Sequence, residues 1–449
     1  MNFMQESMYY AKCFSKKYVY VIIVASLQKY SKSNRFRLEM RGRNTGCHLS
    51  KESSMPNISQ LEAAIPVAPL KLLVLDSIAP LGDRVNRYLV DFRKHLNNEV
   101  KNDPAFEGYS EENYIVKSCC PRFGSGEGKG MIAESVRGKD VFVMVDVCNH
   151  SLTYRMNGYE NHYSPDDNFQ DLKRMIAAIA GKAHRVNVIM PFLYEGRQHR
   201  RSNRESLDCA NALTELSNMG VSNFITFDAH DPRVANATPL KGFDNFTPPY
   251  QFIRSLLHYD KDLIIDKKHT IVISPDEGAL DRAVYFSSVL GVDTGMFYKR
   301  RDYSKIVNGK NPIVAHEFLG DSIDGKDVII IDDMIASGGS MIDTARQLKE
   351  MNCGRVFILA TFGLFTEGLK KFDEAYEKCY FDRVICTNLT YLPPEIHDRP
   401  YFIEADMSKF LASIVDFMNH DISMSNVYTP TEKIQKILSL YNERKDIEI

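Results

Sequence analysis

The chain has no Cys-x-x-Cys pair, no apolar run long enough to cross a bilayer, and almost no excess of charge of either sign. Each absence removes a class of function. Its nine cysteines are scattered and odd in number, and the adjacent Cys119 and Cys120 are badly placed to bridge each other. A disulfide framework and a structural zinc are therefore excluded, and the expected compartment is a reducing one, the cytoplasm. The longest early apolar stretch, YVYVIIVASL at 18–27, has ten residues, where a spanning helix needs about 20. It has the length of a signal-peptide core, but the cleavage site that should follow is weak. A net charge of −2 over 449 residues argues against a nucleic-acid partner or an extensive anionic membrane surface.

What is present is unevenly distributed. Residues 1–54 hold ten Lys/Arg against three Asp/Glu, so about +7 sits there and about −9 on the rest. Residues 1–68 are expected to form a disordered basic extension, with Met55 an alternative start. From residue 70 the pattern becomes regular. LKLLVL (70–75), DVFVMVDV (140–147), RVNVIMP (185–191) and NFITFD (223–228) are apolar, β-rich runs. HTIVISPD (269–276), VIIIDD (328–333), RVFILATFG (355–363) and DRVICTN (382–388) form a second series. Helical patterns such as DLKRMIAAIA (171–180) and SLDCANALTELSNMG (206–220) lie between several of them. Strands alternating with helices predict an α/β fold with mostly parallel sheets, in two similar lobes, 69–245 and 246–430, followed by a helical tail, 431–449. The polar stretches 97–114 and 154–168 read as surface insertions.

In open α/β sheets, ligands gather beyond the carboxyl ends of the strands, and several of these runs end in reactive residues. VIIIDDMIASGGSMIDTA (328–345) passes from a buried strand through Asp332 and Asp333 into Ser337-Gly338-Gly339-Ser340 and then a helical pattern. Two adjacent carboxylates there are costly unless something neutralises them. The glycines let the backbone turn tightly and expose N–H groups, and the helix start adds its positive dipole end, which makes a phosphate cradle. No Lys precedes the Ser as in a Walker loop, so a monophosphate fits, with the two acids left for neighbouring hydroxyls: a sugar 5-phosphate suits both halves. FDAHDPR (227–233) and ISPDEGALDRA (273–283) end strands with candidate metal ligands, His230 and Asp276. Magnesium takes few protein ligands and binds substrate phosphates. GRQHRRSNR (196–204) carries Arg197, Arg200, Arg201 and Arg204, whose forks match phosphate oxygens. YKRRDYSKIVNGK (298–310) reads as a mobile basic loop that brings Lys299 and Arg301 over a polyphosphate. RFGSGEGKG (122–130) reads as a hairpin tip.

Seven segments in this order resemble the ribose-phosphate pyrophosphokinase family over roughly residues 70–430: RFGSGE…AESVRGKDVFV, NVIMPFLYEGRQHRR, FDAH, VISPDEGALDRA, YKRR, VIIIDDMIASGGS and VICTNLTYLPPE…MSKFLASIVDFM. The resemblance implies two phosphoribosyltransferase-like lobes and transfer of the β,γ-diphosphoryl group of ATP to the 1-hydroxyl of ribose 5-phosphate, with Mg2+ required. By position it implies that Asp332 and Asp333 hold the ribose hydroxyls and that Ala336, Ser337, Gly338, Gly339 and Ser340 hold the 5-phosphate. His230 and Asp276 would bind magnesium, and Lys299 and Arg301 would stabilise the transferring group. Arg197 and Gln198 would contact ATP, with Phe123, Ser125 and Glu127 on the adenine side from a neighbouring copy in a homo-oligomer built of dimers, up to a hexamer. Three positions depart from the family pattern: Ser125 and His199 each stand where an Asp is usual, and Ala336 replaces an acid or Ser. The competing readings are a non-catalytic regulatory paralogue, favoured by Ser125 and His199, and a phosphoribosyltransferase, which has one such lobe instead of two.

Overall fold

A computed structural model describes residues 64–94, 104–301, 313–424 and 430–443, with the backbone alone at 299–301 and 313–316. Nearly all of the basic extension and the run 302–312 lie outside the described residues. The first half carries β1 (Leu70–Val74), β2 (Ser118–Cys119), β3 (Met131–Ile132), β4 (Asp140–Met144), β5 (Thr153–Met156), β6 (Tyr159–His162), β7 (Arg185–Ile189), β8 (Asn223–Phe227) and β9 (Gly242–Phe246). Strands β1-β4-β7-β8-β9 form one sheet with every pairing parallel. Helices cover both faces of such a sheet, so β4 is buried at every position and reads as an unbroken apolar run.

The second half carries β10 (Thr270–Ser274), β11 (Asp293–Arg301), β12 (Ile313–Leu319), β13 (Asp327–Ile335), β14 (Val356–Gly363), β15 (Arg383–Thr387) and β16 (Phe402–Ala405). They make a seven-stranded sheet in the order β12-β11-β10-β13-β14-β15-β16, antiparallel at β11–β12 and parallel elsewhere. The helices are α1 (Ala79–Lys94), α2 (Pro165–Ile179), α3 (Asp208–Asn218), α4 (Pro249–Tyr259), α5 (Leu280–Leu290), α6 (Gly339–Glu350), α7 (Lys370–Glu377), α8 (Ser408–Asn419) and α9 (Thr431–Asn442). The architecture is the expected α/β one, two mostly parallel sheets flanked by helices. No helix among the described residues is long and apolar enough to cross a membrane, and the seven described cysteines are free thiols.

Four segments differ from the sequence expectation. The basic segment expected to leave the sheet at Tyr298 stays in β11 through Arg301, where Tyr298 lies opposite Glu317 and Lys299 opposite His316; strand pairing satisfies the backbone whatever the side chains carry. Strand β13 also continues past Asp332 and Asp333 to Ile335, held by its parallel register with β14. The stretch 97–114 is more than a surface insertion, because Phe106, Tyr109 and Tyr114 are buried. The stretch 154–168 contains most of a β-hairpin and the start of α2. Asn157 and Gly158, both at positive φ, make the turn of that hairpin, and an Asn-Gly pair is the strongest short-range signal for one. Ser164 closes α2 with a capping box, its hydroxyl accepting from the Asp167 N–H while Asp167 accepts from the Ser164 N–H.

The two sheets share a core. Leu70, Phe142 and Phe227 from the first half pack with Phe362, Leu389 and Leu411 from the second. Helix α8 belongs late in the chain yet lies against α1. There Arg93, almost fully buried, donates to Asp416 at 2.8 and 2.6 Å and to Asn419 at 2.8 Å, with its guanidinium 4.4 Å from the Tyr109 ring centre. Asn419 reaches the buried Asp140 at 3.0 Å, which Arg185 also pairs bidentately. A second tie is Asp146, beyond the end of β4, whose carboxylate accepts the Tyr391 N–H at 2.6 Å and the Cys148 N–H at 2.9 Å.

Removing one partner of a buried ion pair leaves the other charge uncompensated. Arg93→Ala should cost about 3–5 kcal/mol in chemical denaturation, and the double change Arg93→Met with Asp416→Leu should recover most of it. Burial pushes the Asp146 carboxyl from its ordinary 3.8 up to about 7, against the two N–H bonds that favour its charge. The folded chain thus holds a proton that the unfolded chain has released between about pH 4 and 7. That contribution is complete below pH 4 and is lost as pH rises through 7. The melting temperature of the wild type minus that of Asp146→Asn should therefore fall between pH 4.5 and 7.5, as differential scanning calorimetry would read.

Candidate functional site

Strand ends from both sheets meet. Beyond β8, Asp228 takes a positive φ of 42° while its N–H donates to the Phe246 carbonyl at 2.7 Å. The bend aims its carboxylate at Arg282, on the first turn of α5. Arg282 donates to Asp228 from Nε at 2.9 Å and from Nη2 at 2.8 Å, and reaches Asp332 Oδ1 from Nη1 at 3.5 Å. Thr361, on β14, donates to the second Asp228 oxygen at 2.6 Å. Two residues on from Asp228, His230 Nδ1 lies 2.7 Å from Asp333 Oδ2, and the Asp333 N–H donates to Asp332 Oδ1 at 2.8 Å. One network thus joins the loop after β8, the start of α5, and the acids of β13.

The electrostatics follow from burial and charge count. Burial pushes Asp332 well above the usual carboxylate range, and the adjacent Asp333 charge pushes the same way. For Asp333, burial is outweighed by the His230 hydrogen bond and the Arg282 charge, so its carboxyl sits below the usual range. The same bond raises His230 above its ordinary value. Burial works against the Arg282 charge, but Asp228 and the two β13 acids more than restore it.

The loop between β13 and α6 is a tight, glycine-capped helix start. Gly338, at φ +78°, caps α6, and a Cβ there would come within 2.2 Å of the Phe372 ring, so both its conformation and its space demand glycine. The Thr366 N–H takes the Ala336 carbonyl at 3.0 Å, which pins the entrance of the loop. Ser337 is half-buried, and Gly339 and Ser340 are exposed at the helix start.

Asp276 follows β10 and accepts the Gly278 N–H at 3.0 Å and the Ala279 N–H at 3.3 Å, and its charge adds to the upward push on Asp332. Among the described residues, no group of three or more His, Cys, Asp or Glu is arranged to hold a metal. The donor chemistry nevertheless fits magnesium: Asp228, Asp276, Asp332 and Asp333 outnumber the one arginine among them, and hard oxygens together with few protein ligands are what that ion takes. With His230 Nδ1 engaged by Asp333, Nε2 is the nitrogen left for a cation.

The basic loop after β7 lies beside His230. Arg197 lines a small hollow together with His230, Asp228 and Met334. Gln198 is turned inward, closing the loop through its Nε2 onto the carbonyls of Arg200 at 3.2 Å and Ser206 at 3.0 Å. His199 Nε2 lies 3.3 Å from Asp231 Oδ2, and its ring centre is 5.5 Å from that of His230. Asp231 is held down to about 2, chiefly by its hydrogen bonds with Arg233. His199, His230 and Asp231 edge a cleft of about 890 Å³ that also takes in Arg200, Arg282 and Tyr285. Phe123, Ser125 and Glu127 lie on a separate exposed turn, where Ser125 Oγ donates to Glu127 at 2.8 Å. Lys299 and Arg301 sit at the far end of β11, with only their backbone described.

The structure thus gathers His230, Asp332 and Asp333 in one network, with Asp276 and Arg197 near it. The sequence reading missed Asp228, Arg282, Thr361 and Asp231. The usable signal was the uncompensated charge of the Asp332–Asp333 pair, since an arginine had to be near and Arg282 opens the helix of the preceding strand–helix segment.

The chain is similar to known proteins in sequence and in fold. Residues 70–220 match the N-terminal domain of ribose phosphate pyrophosphokinase, and residues 253–386 match a phosphoribosyl transferase domain. The ribose-phosphate pyrophosphokinase of Pasteurella multocida is 30% identical over 312 residues, covering 69% of this chain and 90% of that protein. That of Vibrio cholerae is 29% identical over 311 residues, covering 68% and 89%. In fold, the chain is similar to the phosphoribosylpyrophosphate synthetase of Mycobacterium smegmatis, with a TM-score of 0.59 and 22% identity over 78% of this chain and 99% of that one. This chain belongs to the ribose-phosphate pyrophosphokinase family.

Proposed function

We propose that the chain is a ribose-phosphate diphosphokinase that transfers the β,γ-diphosphoryl group of ATP to the 1-hydroxyl of ribose 5-phosphate. The observation that supports this most is the β13–α6 segment, where a glycine-capped helix start follows two carboxyls bound through Arg282 and His230 to the first lobe. The 5-phosphate of the sugar sits against the backbone of Ala336 to Ser340. The ring hydroxyls meet Asp332 and Asp333, whose carboxyl oxygens hold them in place. That arrangement orients the 1-hydroxyl toward the loop after β8. There the oxygen bonds to the β-phosphorus and its proton passes to solvent, the bond from that phosphorus to the α-phosphate oxygen breaks, and AMP leaves with the electron pair. Arg197 and His230 face the phosphates, and Lys299 and Arg301 on β11 neutralise charge as it builds on the transferring group.

Magnesium, when bound, supplies charge neutralisation at the phosphates, with His230 and Asp276 its protein ligands. Phe123, Ser125 and Glu127 serve the adenine of ATP bound to a neighbouring copy, in a cytoplasmic homo-oligomer. Nucleotide synthesis is the use of such a product.

Incubation with ATP, Mg2+ and ribose 5-phosphate should yield AMP and an acid-labile diphosphorylated sugar in equal amounts by chromatography. Release of ADP, or binding of ribose 5-phosphate without turnover, would instead point to another kinase or a regulatory paralogue. Asp333→Asn removes the ionised acceptor and the His230 partner together. Calorimetry should then show ribose 5-phosphate bound at least tenfold more weakly, the scale of a lost charged hydrogen bond, and unchanged affinity would remove the acid from the hydroxyl site.

A further inference from the structure

The β5–β6 hairpin is not absorbed by the proposed chemistry, yet its contacts are unusually directed. Its inward-facing residues alternate as a half-covered strand should: Leu152, Tyr154 and Met156 are partly buried, while Thr153 and Arg155 are exposed. They cover the exposed turn 122–128. The Asn157 N–H, at the hairpin's own turn, donates to the Gly124 carbonyl at 3.0 Å. Met156 lies over Gly126 so closely that a Cβ there would come within 2.6 Å of its sulfur, and Gly126 holds a φ of +93°. At the base of the turn, the Arg122 guanidinium lies 5.3 Å from the Tyr154 ring centre and 4.8 Å from that of Tyr163. It also donates to Asp171 on α2 at 2.6 Å.

Two internal bonds close the turn, Phe123 N–H to the Glu127 carbonyl at 2.7 Å and Gly126 N–H to the Phe123 carbonyl at 2.8 Å. The result is a small pad that turns outward a ring 54% exposed, Phe123, beside the bonded pair Ser125 and Glu127. A flat aromatic and a polar edge side by side are what a nucleobase requires, one for its face and one for its rim. A turn this rich in glycine has little intrinsic rigidity, so its shape has to come from what lies on it.

We infer that the β5–β6 hairpin is a positioning element for the nucleobase, with Met156 and Asn157 holding the 122–128 turn in the shape that reads a purine ring. This rests on the reading of Phe123 and Glu127 as the adenine-side contacts and names what sets their selectivity. Met156 touches the turn and not the reacting groups, so it acts on nucleotide affinity and leaves the chemical step alone. An ordered turn binds more tightly because less freedom is lost on association.

The test compares Met156→Ala, Met156→Leu and the tip variant Tyr159→Ser, whose side chain is 75% exposed, in the full-length protein. Met156→Ala should raise the KM for ATP threefold to tenfold and narrow the ATP-over-GTP preference, with kcat at saturation and the KM for ribose 5-phosphate within twofold. Met156→Leu should restore the wild-type values, and Tyr159→Ser should match them throughout. Hydrogen exchange in the same samples should show the 123–128 amides exchanging faster in Met156→Ala alone. An unchanged KM for ATP and unchanged base preference would overturn the inference, whether or not exchange speeds up. A parallel loss for ribose 5-phosphate and for stability would overturn it too, because the hairpin would then merely support the fold. If the wild type forms no AMP, the proposed reaction fails by itself, and the same variants are read by equilibrium binding of ATP and GTP: a selective loss of ATP in Met156→Ala sustains the positioning role and no change ends it. A wild type that binds no ATP overturns both.

Discussion

Everything at the candidate site depends on Arg282. Three carboxylates, Asp228, Asp332 and Asp333, converge where strands of two different sheets end, and without a cation among them the convergence would be electrostatically prohibitive. Arg282 meets that need in a directional way. Its planar fork takes Asp228 from two nitrogens and leaves the third for Asp332, so charge compensation and geometry come from the same group. The Thr361 hydroxyl adds a second donor to Asp228 Oδ2, which Arg282 Nε also reaches. His230 completes the balance at Asp333 through Nδ1, 2.7 Å from its Oδ2.

Such a network functions only if the two sheets stay in register, and the fold provides for that in three places. Apolar side chains from both halves form one core, α8 returns to clamp α1 through Arg93, and Asp146 takes a backbone N–H from the loop after β15. The polar ties are spread over the shared core, so no single element carries the alignment. For chemistry that relies on positioned charges, a rigid frame has a direct benefit: groups already in place need no reorganisation when charge moves.

The departures from the family pattern sit at the edge of this frame. His199 stands where an acid is usual and faces Asp231, which Arg233 already holds ionised. Ser125, in place of another acid, binds Glu127 and lies under the hairpin's reach. In both places the residue has a carboxylate partner nearby.

The sequence by itself determined the strand–helix alternation, the parallel sheets, the glycine cap at Gly338 and the positions of His230 and Asp276 just beyond strand ends. These follow from local pattern: strands buried on both faces must be continuously apolar, and a tight turn before a helix must be glycine. The tertiary structure alone decided which of those strand ends meet. Nothing in the spacing says that His230 pairs with Asp333 across 103 positions or that Arg282 bridges Asp228 to Asp332. Such contacts arise from sheet order and lobe packing, not from neighbouring residues. The same holds for the buried Tyr109 and Tyr114, whose stretch looked polar until Arg93 gave their rings a partner. The Asn157–Gly158 turn was legible and passed over, but its closure onto Gly124 was not, because only the folded chain brings that carbonyl within reach of the hairpin.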